Sequence, residues 1–324
     1  MMKIAYIYHI NNKYSYAAKT IATGFANAFT DRGESFKFFD ITKLEKRSFS
    51  FEAIKLLNYG PDIIFTSAEN IPHLPLSLLK STALVLWAPF YEPCDYEAQI
   101  HSISESNKQL LNKYSTKHNI VVWSQHDDQI NEKYFSGYEK ELGIKLIQLL
   151  HCADKTRYTE PTVNPEFDFL WVGNIGHRAS TFESLIEPMK KTFSNHLVYT
   201  EHNMIDPQKI ETERLYSRSF VTPNVHSEAQ VKHRILLNER TFTASMLGGF
   251  QICDNPLIRK YFSESELTLA SNSNDFIEKT HYYIKHPQER LQMIRKMQRN
   301  VLDNHTYFNR IDTVLSALGM ISKP

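Results

Sequence analysis

The densest group of residues able to bind an anion lies in the segment LNERTFTASMLGGFQICDN, residues 237–255. Its pattern predicts a helix over Ile235–Leu247 that runs directly into a buried strand. The residues that could contact a ligand there are Arg234, Glu239, Arg240, Thr243 and, at the helix end, Gly248. A helix N-terminus carries unpaired N–H groups and a positive dipole, so it favours phosphate. We therefore expect a diphosphate beside Arg240, the alternative being a surface helix with solvated charges.

A second candidate is FDFLWVGNIGHR, residues 167–178, in which an apolar run stops at Gly173 and Asn174. Glycine lets the backbone approach a ligand closely, and Arg178 could reach a phosphate or a base. A plain strand-to-helix turn would use the same glycines. The pattern thus predicts either a second wall of the anion site or an ordinary turn.

Groups that could accept a proton follow predicted strands in the first half of the chain. The candidates are Glu69, His73, Glu92, Asp95, His126, Asp127 and Asp128. Glu92 and Asp95 rank first because their loop is bounded by prolines and aromatic residues that could shape a binding rim. Each of these groups could equally be a helix cap or a solvated side chain.

Short apolar runs alternate twice with segments of helical period, which predicts two parallel sheets covered by helices. The predicted strands are 3–8, 36–39, 62–67, 83–87, 119–123 and 145–150, then 167–172, 196–200, 220–223, 250–253 and 267–270. The predicted helices are 17–30, 51–58, 96–114 and 130–142, then 181–192, 208–216, 235–247 and 274–285, with a further helical stretch from 287 to 320.

We expect two doubly wound, Rossmann-like domains over residues 1–152 and 165–300. A polar, proline-containing linker would join them. Loops at the carboxyl ends of the strands would then surround a central cleft.

Bulk properties exclude several classes of protein. The 37 basic and 36 acidic side chains give no general attraction to nucleic acid, and the three cysteines are too far apart for a zinc site or a disulfide framework. Dinucleotide-binding, P-loop and α/β-hydrolase motifs do not occur, and no D-x-D triplet suggests a bridging metal. No apolar run is long enough for a signal peptide or a membrane span, so we expect a soluble, cytoplasmic protein.

The segments DFLWVGN, NERTFTASMLGGFQICDN and DFIEKTHYYIKHPQERLQMIRKMQRNVLDNHTYFNRI together resemble the CgeB-like branch of the glycosyl transferases group 1 family. The resemblance covers about Asp168 to Leu318 and implies the GT-B fold, with a C-terminal helix within 301–324 that crosses back to the first domain. In that family R-x-F-E-x-x-x-x-G begins the donor-binding helix. Thr243 here replaces the family's acidic residue, and Glu239, one turn away, could substitute for it.

The resemblance implies a nucleotide sugar bound in the second domain and an acceptor bound in the first. Carried onto this chain, it places Gly173 and Asn174 at the phosphate-side loop, Arg240 near the diphosphate, and Gly248 and Gly249 at the helix end. Together with the residues singled out above, the expected donor residues are Gly173, Asn174, Arg178, Arg234, Glu239, Arg240, Thr243 and Gly248. The expected acceptor residues are His9, Asn12, Trp87 and Tyr91. Glu92, Asp95 or His126 would be the base if the reaction inverts the anomeric centre, whereas a retaining reaction needs none.

We therefore expect a metal-independent glycosyltransferase with no required cofactor, in which the nucleotide sugar is a co-substrate. Its acceptor would be a glycan, lipid-linked or protein acceptor in cell-surface glycan or other glycoconjugate synthesis, and no nucleic acid is expected. Basic residues along 285–310 permit peripheral contact with the inner face of the membrane, but their spacing is more typical of a solvated helix face. The alternative is a non-catalytic homologue that binds a nucleotide sugar or scaffolds another transferase, with Thr243 as the trace of lost activity.

Overall fold

The structure is a computed structural model that describes residues 1–8, 16–45, 50–88, 92–95, 100–102, 105–115, 119–200, 210 and 213–321. The chain divides into two compact units, one of residues 1–150 with 307–324 and one of residues 151–306. Each unit is built around a parallel β-sheet with helices between its strands. The predicted class, an α/β protein with two Rossmann-like domains, is confirmed.

The sheet of the first unit has the strand order β2-β1-β3-β4-β7-β8, with every neighbouring pair parallel. Its strands are β1 (Lys3–Tyr8), β2 (Ser35–Asp40), β3 (Ile63–Ser67), β4 (Ala83–Trp87), β7 (Ile120–Ser124) and β8 (Lys145–Gln148). All residues of β3 and β7 are buried, because helices cover both faces of a parallel sheet. An antiparallel pair, β5 (Glu92–Asp95) and β6 (Ile100–Ser102), lies outside this sheet.

The helices of the first unit differ from the predictions in two places. They are Tyr16–Asp31, Ile41–Glu45, Phe51–Tyr59, Leu76–Leu79, Glu105–Ser115, Asp128–Ile130, Gly137–Lys140 and Tyr307–Ala317, with other helical turns at Ala68–His73 and Asn131–Phe135. The helix predicted over 96–114 begins only at Glu105, because part of that stretch pairs with β5 as strand β6. The helix predicted over 130–142 is divided into short turns.

The last helix of the chain, Tyr307–Ala317, belongs to the first unit, as the predicted crossing helix requires. It packs against the helix Tyr16–Asp31 through Tyr307, whose ring centroid lies 5.0 Å from that of Phe25. A Cβ atom on Gly24 would lie 2.0 Å from the ring of Tyr307, so only glycine permits this approach. Arg310 fixes the helix further by donating to the Leu150 carbonyl at 2.9 Å.

The sheet of the second unit has the order β10-β9-β11-β12-β13 and is again parallel throughout. Its strands are β9 (Phe167–Val172), β10 (His196–Tyr199), β11 (Ser219–Asn224), β12 (Gln251–Cys253) and β13 (Thr268–Leu269). Its helices are Ala179–Thr181, Glu187–Thr192, Glu228–His233, Arg240–Met246, Ser273–Lys285 and Pro287–Asn304, with other helical turns at Lys155–Arg157, Gly176–Arg178, Phe182–Ile186 and Pro256–Lys260. Of the helix predicted over 208–216, residue 210 is helical and 213–216 form turns, while 208, 209, 211 and 212 lie outside the described residues.

The stretch predicted to link the domains packs within the second unit. Gln298 donates to the Thr159 carbonyl at 2.9 Å, and the fully buried Arg290 donates to the Thr162 carbonyl at 2.8 Å. Burial lowers the pKa of Arg290 to about 10. Cys152 and Cys253 are buried, as expected of small core residues, while the side chain of Cys94 lies outside the described part. No helix in the described ranges is both long and apolar enough to cross a bilayer.

Candidate functional site

In the second sheet the direction in which successive strands are added reverses once, between β9 and β11. β9 is followed in sequence by β10 on one side, and the chain then returns to β11 on the other side of β9. Ligands of open parallel sheets bind at such a reversal, outside the carboxyl ends of the strands. The loops that leave β9 and β11 therefore form the candidate site of the second unit.

The loop after β9 is built to bring a guanidinium group against the backbone. A Cβ atom on Gly173 would lie 2.4 Å from Nη2 of Arg240 and 2.9 Å from Cζ2 of Trp171. Arg240 lies over the Trp171 ring, with 5.3 Å between its Cζ and the ring centroid, which is a cation–π contact. Any larger residue at position 173 would displace Arg240, so the predicted proximity of Gly173 and Arg240 is present in the fold.

The predicted donor helix is shorter than its sequence pattern indicates. It begins at Arg240 instead of Ile235, so Glu239 is its N-cap and not a residue of its first turn. Residues 235–238 are irregular because Arg234 adopts a left-handed conformation, with φ of 53°, that ends the preceding helix. Every residue of Arg240–Met246 is buried, so this helix is part of the core and not a surface helix.

Glu239 and Thr243 form a buried pair one helical turn apart. The Thr243 hydroxyl donates a hydrogen bond to the Glu239 carboxylate, and only 7% of Glu239 and 4% of Thr243 are exposed. A carboxylate is therefore present beside the position where the sequence has threonine in place of the family's acidic residue.

A chain of hydrogen bonds joins the loops at the carboxyl ends of β9, β11 and β12. The Asp254 carboxylate accepts from Nδ1 of His226 at 2.6 Å and from the His226 backbone N–H at 2.9 Å. Nε2 of His226 accepts from the backbone N–H of Asn238 at 3.1 Å. The Asn238 side-chain oxygen accepts from Nη2 of Arg178 at 3.0 Å, and Nη1 of Arg178 donates to the Asn174 carbonyl at 3.3 Å.

Three buried side chains of this region have metal-ligand chemistry. His226, Cys253 and Asp254 each place one ligand atom within 4.8 Å of the others. The His226 nitrogens are both engaged in hydrogen bonds, and burial raises the pKa of the Cys253 thiol, which disfavours the thiolate that a metal requires. The cluster therefore fits a hydrogen-bonded core better than a metal centre.

Two predicted donor residues, Gly248 and Arg234, lie at the C-terminal ends of two helices and outside the hydrogen-bonded chain. Gly248 follows the C-terminal end of Arg240–Met246, about 10 Å along the helix from its start. Its φ of 76° requires glycine, and a Cβ there would meet the Thr159 carbonyl at 2.9 Å. Arg234 is exposed at the end of the helix Glu228–His233. Gly248 thus ends the helix and packs it, while Arg234 faces solvent.

In the first unit, His126 lies two residues beyond β7 and is partly buried. Ser124 Oγ donates to Asn131 Oδ1 at 2.7 Å, so the 3.1 Å contact between Ser124 Oγ and His126 Nδ1 requires a proton on Nδ1. Burial lowers the pKa of His126 to about 4, so the ring is neutral at physiological pH. Asp127 caps a helix by accepting from the Ile130 N–H at 3.1 Å.

The other residues predicted for the first domain are only partly described. Trp87, at the end of β4, is 42% exposed, and its ring centroid lies 6.2 Å from that of Trp123. The backbone of Glu92 and Asp95 forms β5, but their side chains lie outside the described part. His9, Asn12 and Tyr91 also lie outside it, so these positions stay predictions.

The first unit also contains an open cavity of about 980 Å³ along β2 and the helix Phe51–Tyr59. Lysines 3, 37 and 55 line it together with Tyr59. None of the predicted catalytic or ligand-binding residues lines this cavity. The cavity is therefore separate from the predicted site residues of both units.

A family model matches the second half of the chain. Residues 163–316 match the family model described as glycosyl transferase-like. This stretch includes Arg178, Arg240, Glu239 and Thr243. The fold is that of GT-B glycosyltransferases, and residues 163–316 are similar to the glycosyl transferase-like family. No curated protein sequence matches the chain.

Solved structures of GT-B glycosyltransferases share the fold over nearly the whole chain. Sucrose-phosphate synthase from Thermosynechococcus elongatus aligns with a TM-score of 0.58 and 10% identity over 98% of this chain and 99% of its own. An alpha-glucosyltransferase bound to UDP and DNA gives 0.60 and 12% over 98% and 99%. A DNA-modifying beta-glucosyltransferase, studied with and without uridine diphosphoglucose, gives 0.59 and 13% over 98% and 100%. At these identities the likeness shows the fold.

The candidate site contains residues that the sequence analysis did not single out. Asn238, His226 and Asp254 are buried beside Arg178, and Trp171 supports Arg240. Asp254 directly follows the predicted strand 250–253, and His226 lies three residues after the predicted strand 220–223, at the sheet edge where ligands bind. That position, shared with the predicted Gly173 and Asn174, is the signal that could have identified them.

Proposed function

We propose that this protein transfers a glycosyl unit from a uridine nucleotide sugar, which the second unit binds at the carboxyl ends of β9 and β11. The observation that carries the proposal is the pair of arginines, Arg178 and Arg240, held at the end of β9 beside Gly173. Both lie in the stretch that matches the glycosyl transferase-like family.

Two guanidinium groups suit the chemistry of a departing nucleoside diphosphate. Negative charge grows on the diphosphate as the glycosidic bond breaks, and charge-assisted hydrogen bonds from arginine stabilise it. Arg240 is nine-tenths buried and stacked on Trp171, so it loses little rotamer freedom on binding. This fixed cation would stabilise the transition state without moving into place during the reaction.

The Glu239–Thr243 pair would recognise the donor ribose. A carboxylate can accept from two vicinal hydroxyls, whereas a threonine hydroxyl offers fewer acceptor sites. Because Thr243 donates to the carboxylate of Glu239, it would orient that group instead of replacing it. This arrangement favours an active enzyme over a non-catalytic homologue.

Uridine diphosphate is the nucleotide we propose, because structural neighbours have been solved with UDP and with UDP-glucose. We propose a glycan, lipid-linked or protein acceptor in the cytoplasm, with no required metal. Some neighbours act on or bind DNA, but the near-zero net charge of this chain gives no general attraction to it. If the purified protein bound duplex DNA in a salt-dependent manner, DNA would become the proposed acceptor.

The deciding experiment measures UDP binding by titration calorimetry and UDP-glucose turnover by UDP release, with and without EDTA. We expect Arg240→Ala to weaken UDP binding at least tenfold and Arg240→Lys to recover part of it. Arg218→Ala is the matched control, since Arg218 pairs with Glu166 at the opposite, amino ends of β9 and β11.

UDP binding without turnover in the presence of varied acceptors would favour the non-catalytic homologue. No binding of UDP, or of any other nucleoside diphosphate, would overturn the proposal. Equal losses in Arg240→Ala and Arg218→Ala would move the donor away from β9.

A further inference from the structure

We infer that Asp254, His226 and Asn238 form a positioning chain that holds Arg178 and the start of the Arg240 helix in their donor-binding geometry. The inference rests on the proposed function and adds residues that touch neither the diphosphate nor the sugar. These hydrogen bonds connect the loops that follow β9, β11 and β12, which lie far apart in the sequence.

Asp254 sets the tautomer of His226. Its two carboxylate oxygens accept separately, one from the ring Nδ1 at 2.6 Å and the other from the His226 backbone N–H at 2.9 Å. Both contacts require donors on the histidine side, so the proton resides on Nδ1. Nε2 is then an acceptor, as its 3.1 Å contact with the Asn238 N–H demands.

His226 in turn fixes the residue that precedes the donor groups. Asn238 lies directly before Glu239 and two residues before Arg240, in the irregular segment that ends where the helix begins. Its side-chain N–H donates to the Val225 carbonyl at 2.8 Å, so both its backbone and its side chain are held by the loop after β11. The start of the helix is thereby anchored to that loop.

The last link of the chain acts on Arg178. The Asn238 side-chain oxygen accepts from Nη2 of Arg178, while Nη1 reaches the Asn174 carbonyl. A planar guanidinium held at two nitrogens has its remaining donors aimed in a fixed direction. Asn238 therefore orients a proposed phosphate ligand, and Asp254 orients Asn238 through the histidine.

His226 itself is unsuited to proton transfer in the reaction. It is fully buried, and both of its ring nitrogens are used within the protein. A general base must present a lone pair to the substrate. The chain is accordingly a second layer of support behind the arginines, of the kind that orients ligating groups in many sites.

The test replaces Asp254 with asparagine, which keeps the shape but offers only one acceptor. Either the ring N–H or the backbone N–H of His226 must then face the NH2 group of the new asparagine. Alternatively, the ring proton moves to Nε2, and the hydrogen bond from the Asn238 N–H is lost. We expect the nitrogen-15 chemical shifts of the His226 ring to show the Nδ1–H tautomer in the wild type. In Asp254→Asn we expect a shift towards Nε2–H and about a tenfold weaker affinity for UDP, equivalent to about 1.4 kcal/mol.

Two further variants separate positioning from stability. Asn238→Ala retains the backbone N–H that binds His226 but removes the acceptor for Arg178, so UDP affinity should fall while the His226 tautomer stays unchanged. Tyr283→Phe is the control, because it removes the buried hydrogen bond to Thr268, 3.0 Å long, in the same unit away from the site. It should lower the melting temperature without changing UDP affinity.

The outcomes distinguish this inference from the proposed function. If the wild type binds no UDP, the proposed function fails, and the ring shifts still report whether Asp254 sets the tautomer. If the wild type binds UDP and both Asp254→Asn and Asn238→Ala bind it equally well, the positioning chain is wrong. A loss in Tyr283→Phe as large as in Asn238→Ala would also overturn it, because general destabilisation would then explain both.

Discussion

The two units each place a histidine two residues beyond the end of a parallel strand, and the two histidines have opposite properties. His226 follows β11, is fully buried, and uses Nδ1 to bind Asp254 and Nε2 to bind Asn238. His126 follows β7, is partly buried, and contacts Ser124 through Nδ1. Within the described ranges, the structure shows no hydrogen bond to Nε2 of His126.

Position after a strand therefore does not determine the role of a histidine. The groups that surround the ring determine that role. His226 has a carboxylate and a backbone N–H on opposite sides, so it connects loops. His126 has a hydroxyl on one side and a pKa lowered to about 4 by burial, so it keeps an unprotonated Nε2 at neutral pH. Only the second arrangement leaves a group that can accept a proton from a substrate.

The largest effect should come from removing His226. His226→Ala leaves the Asp254 carboxylate without its partner and the Asn238 N–H unsatisfied in the core, which should cost about 4 kcal/mol of unfolding free energy. His126→Ala should cost about 1 kcal/mol, because it removes one contact to a hydroxyl. Urea unfolding of the two variants measures the difference. Equal losses would mean that the two histidines have the same structural role.

The second prediction concerns acid. The folded pKa of His126, about 4, lies below its unfolded value, so the unfolded state binds more protons between about pH 4 and 6.5. Stability from this group is therefore present above pH 6.5 and is lost as pH falls towards 4, by up to about 3 kcal/mol. His126→Gln should remove that part of the acid destabilisation.

Urea titrations at pH 7 and 4.5, on the wild type and His126→Gln, isolate this contribution because the carboxylates are common to both proteins. An identical pH dependence of unfolding in the two proteins would show that the His126 ring is solvated in the folded state.

The third prediction tests the proton acceptor. If His126 is the base of an inverting reaction, His126→Gln should lower kcat about 100-fold, at the low end for general base catalysis. The acid limb of kcat/KM should then fall near pH 4, since that is the pKa of the ring. Rates of UDP release across pH 3.5 to 8 measure both. Unchanged activity would leave Glu92 and Asp95 as the candidates, or indicate a retaining reaction.

The sequence predicted the sheets well because buried parallel strands are continuous apolar runs, as in ALVLW of β4 and IVVWS of β7. It failed at 96–114, where pairing of Ile100–Ser102 with β5 overrides a helical pattern. The start of the Arg240 helix was also misplaced. The left-handed Arg234 interrupts the helical pattern there, and the irregular segment that follows is held by the bond from Asn238 to His226, twelve residues earlier, which no local pattern contains.

For the site, the sequence identified the groups that would touch a ligand but not those that hold them. Arg178, Arg240 and Gly173 were recognisable from charge and from glycine at a strand end. Asn238 and Asp254 act through side-chain hydrogen bonds between separate loops, and these depend on the tertiary arrangement.

The smallest effect should distinguish two hydroxyls that each contact a titratable side chain, one in each unit. Thr243→Val removes the hydroxyl that donates to Glu239, which should weaken UDP binding about fivefold, the equivalent of about 1 kcal/mol for one hydrogen bond. Thr243→Ser retains the hydroxyl and should bind UDP normally. Ser124→Ala removes the hydroxyl beside His126 and should leave UDP affinity unchanged, because it lies in the other unit. Titration calorimetry of the three variants decides the matter: a loss in Ser124→Ala equal to that in Thr243→Val would contradict the assignment of nucleotide binding to the second unit alone.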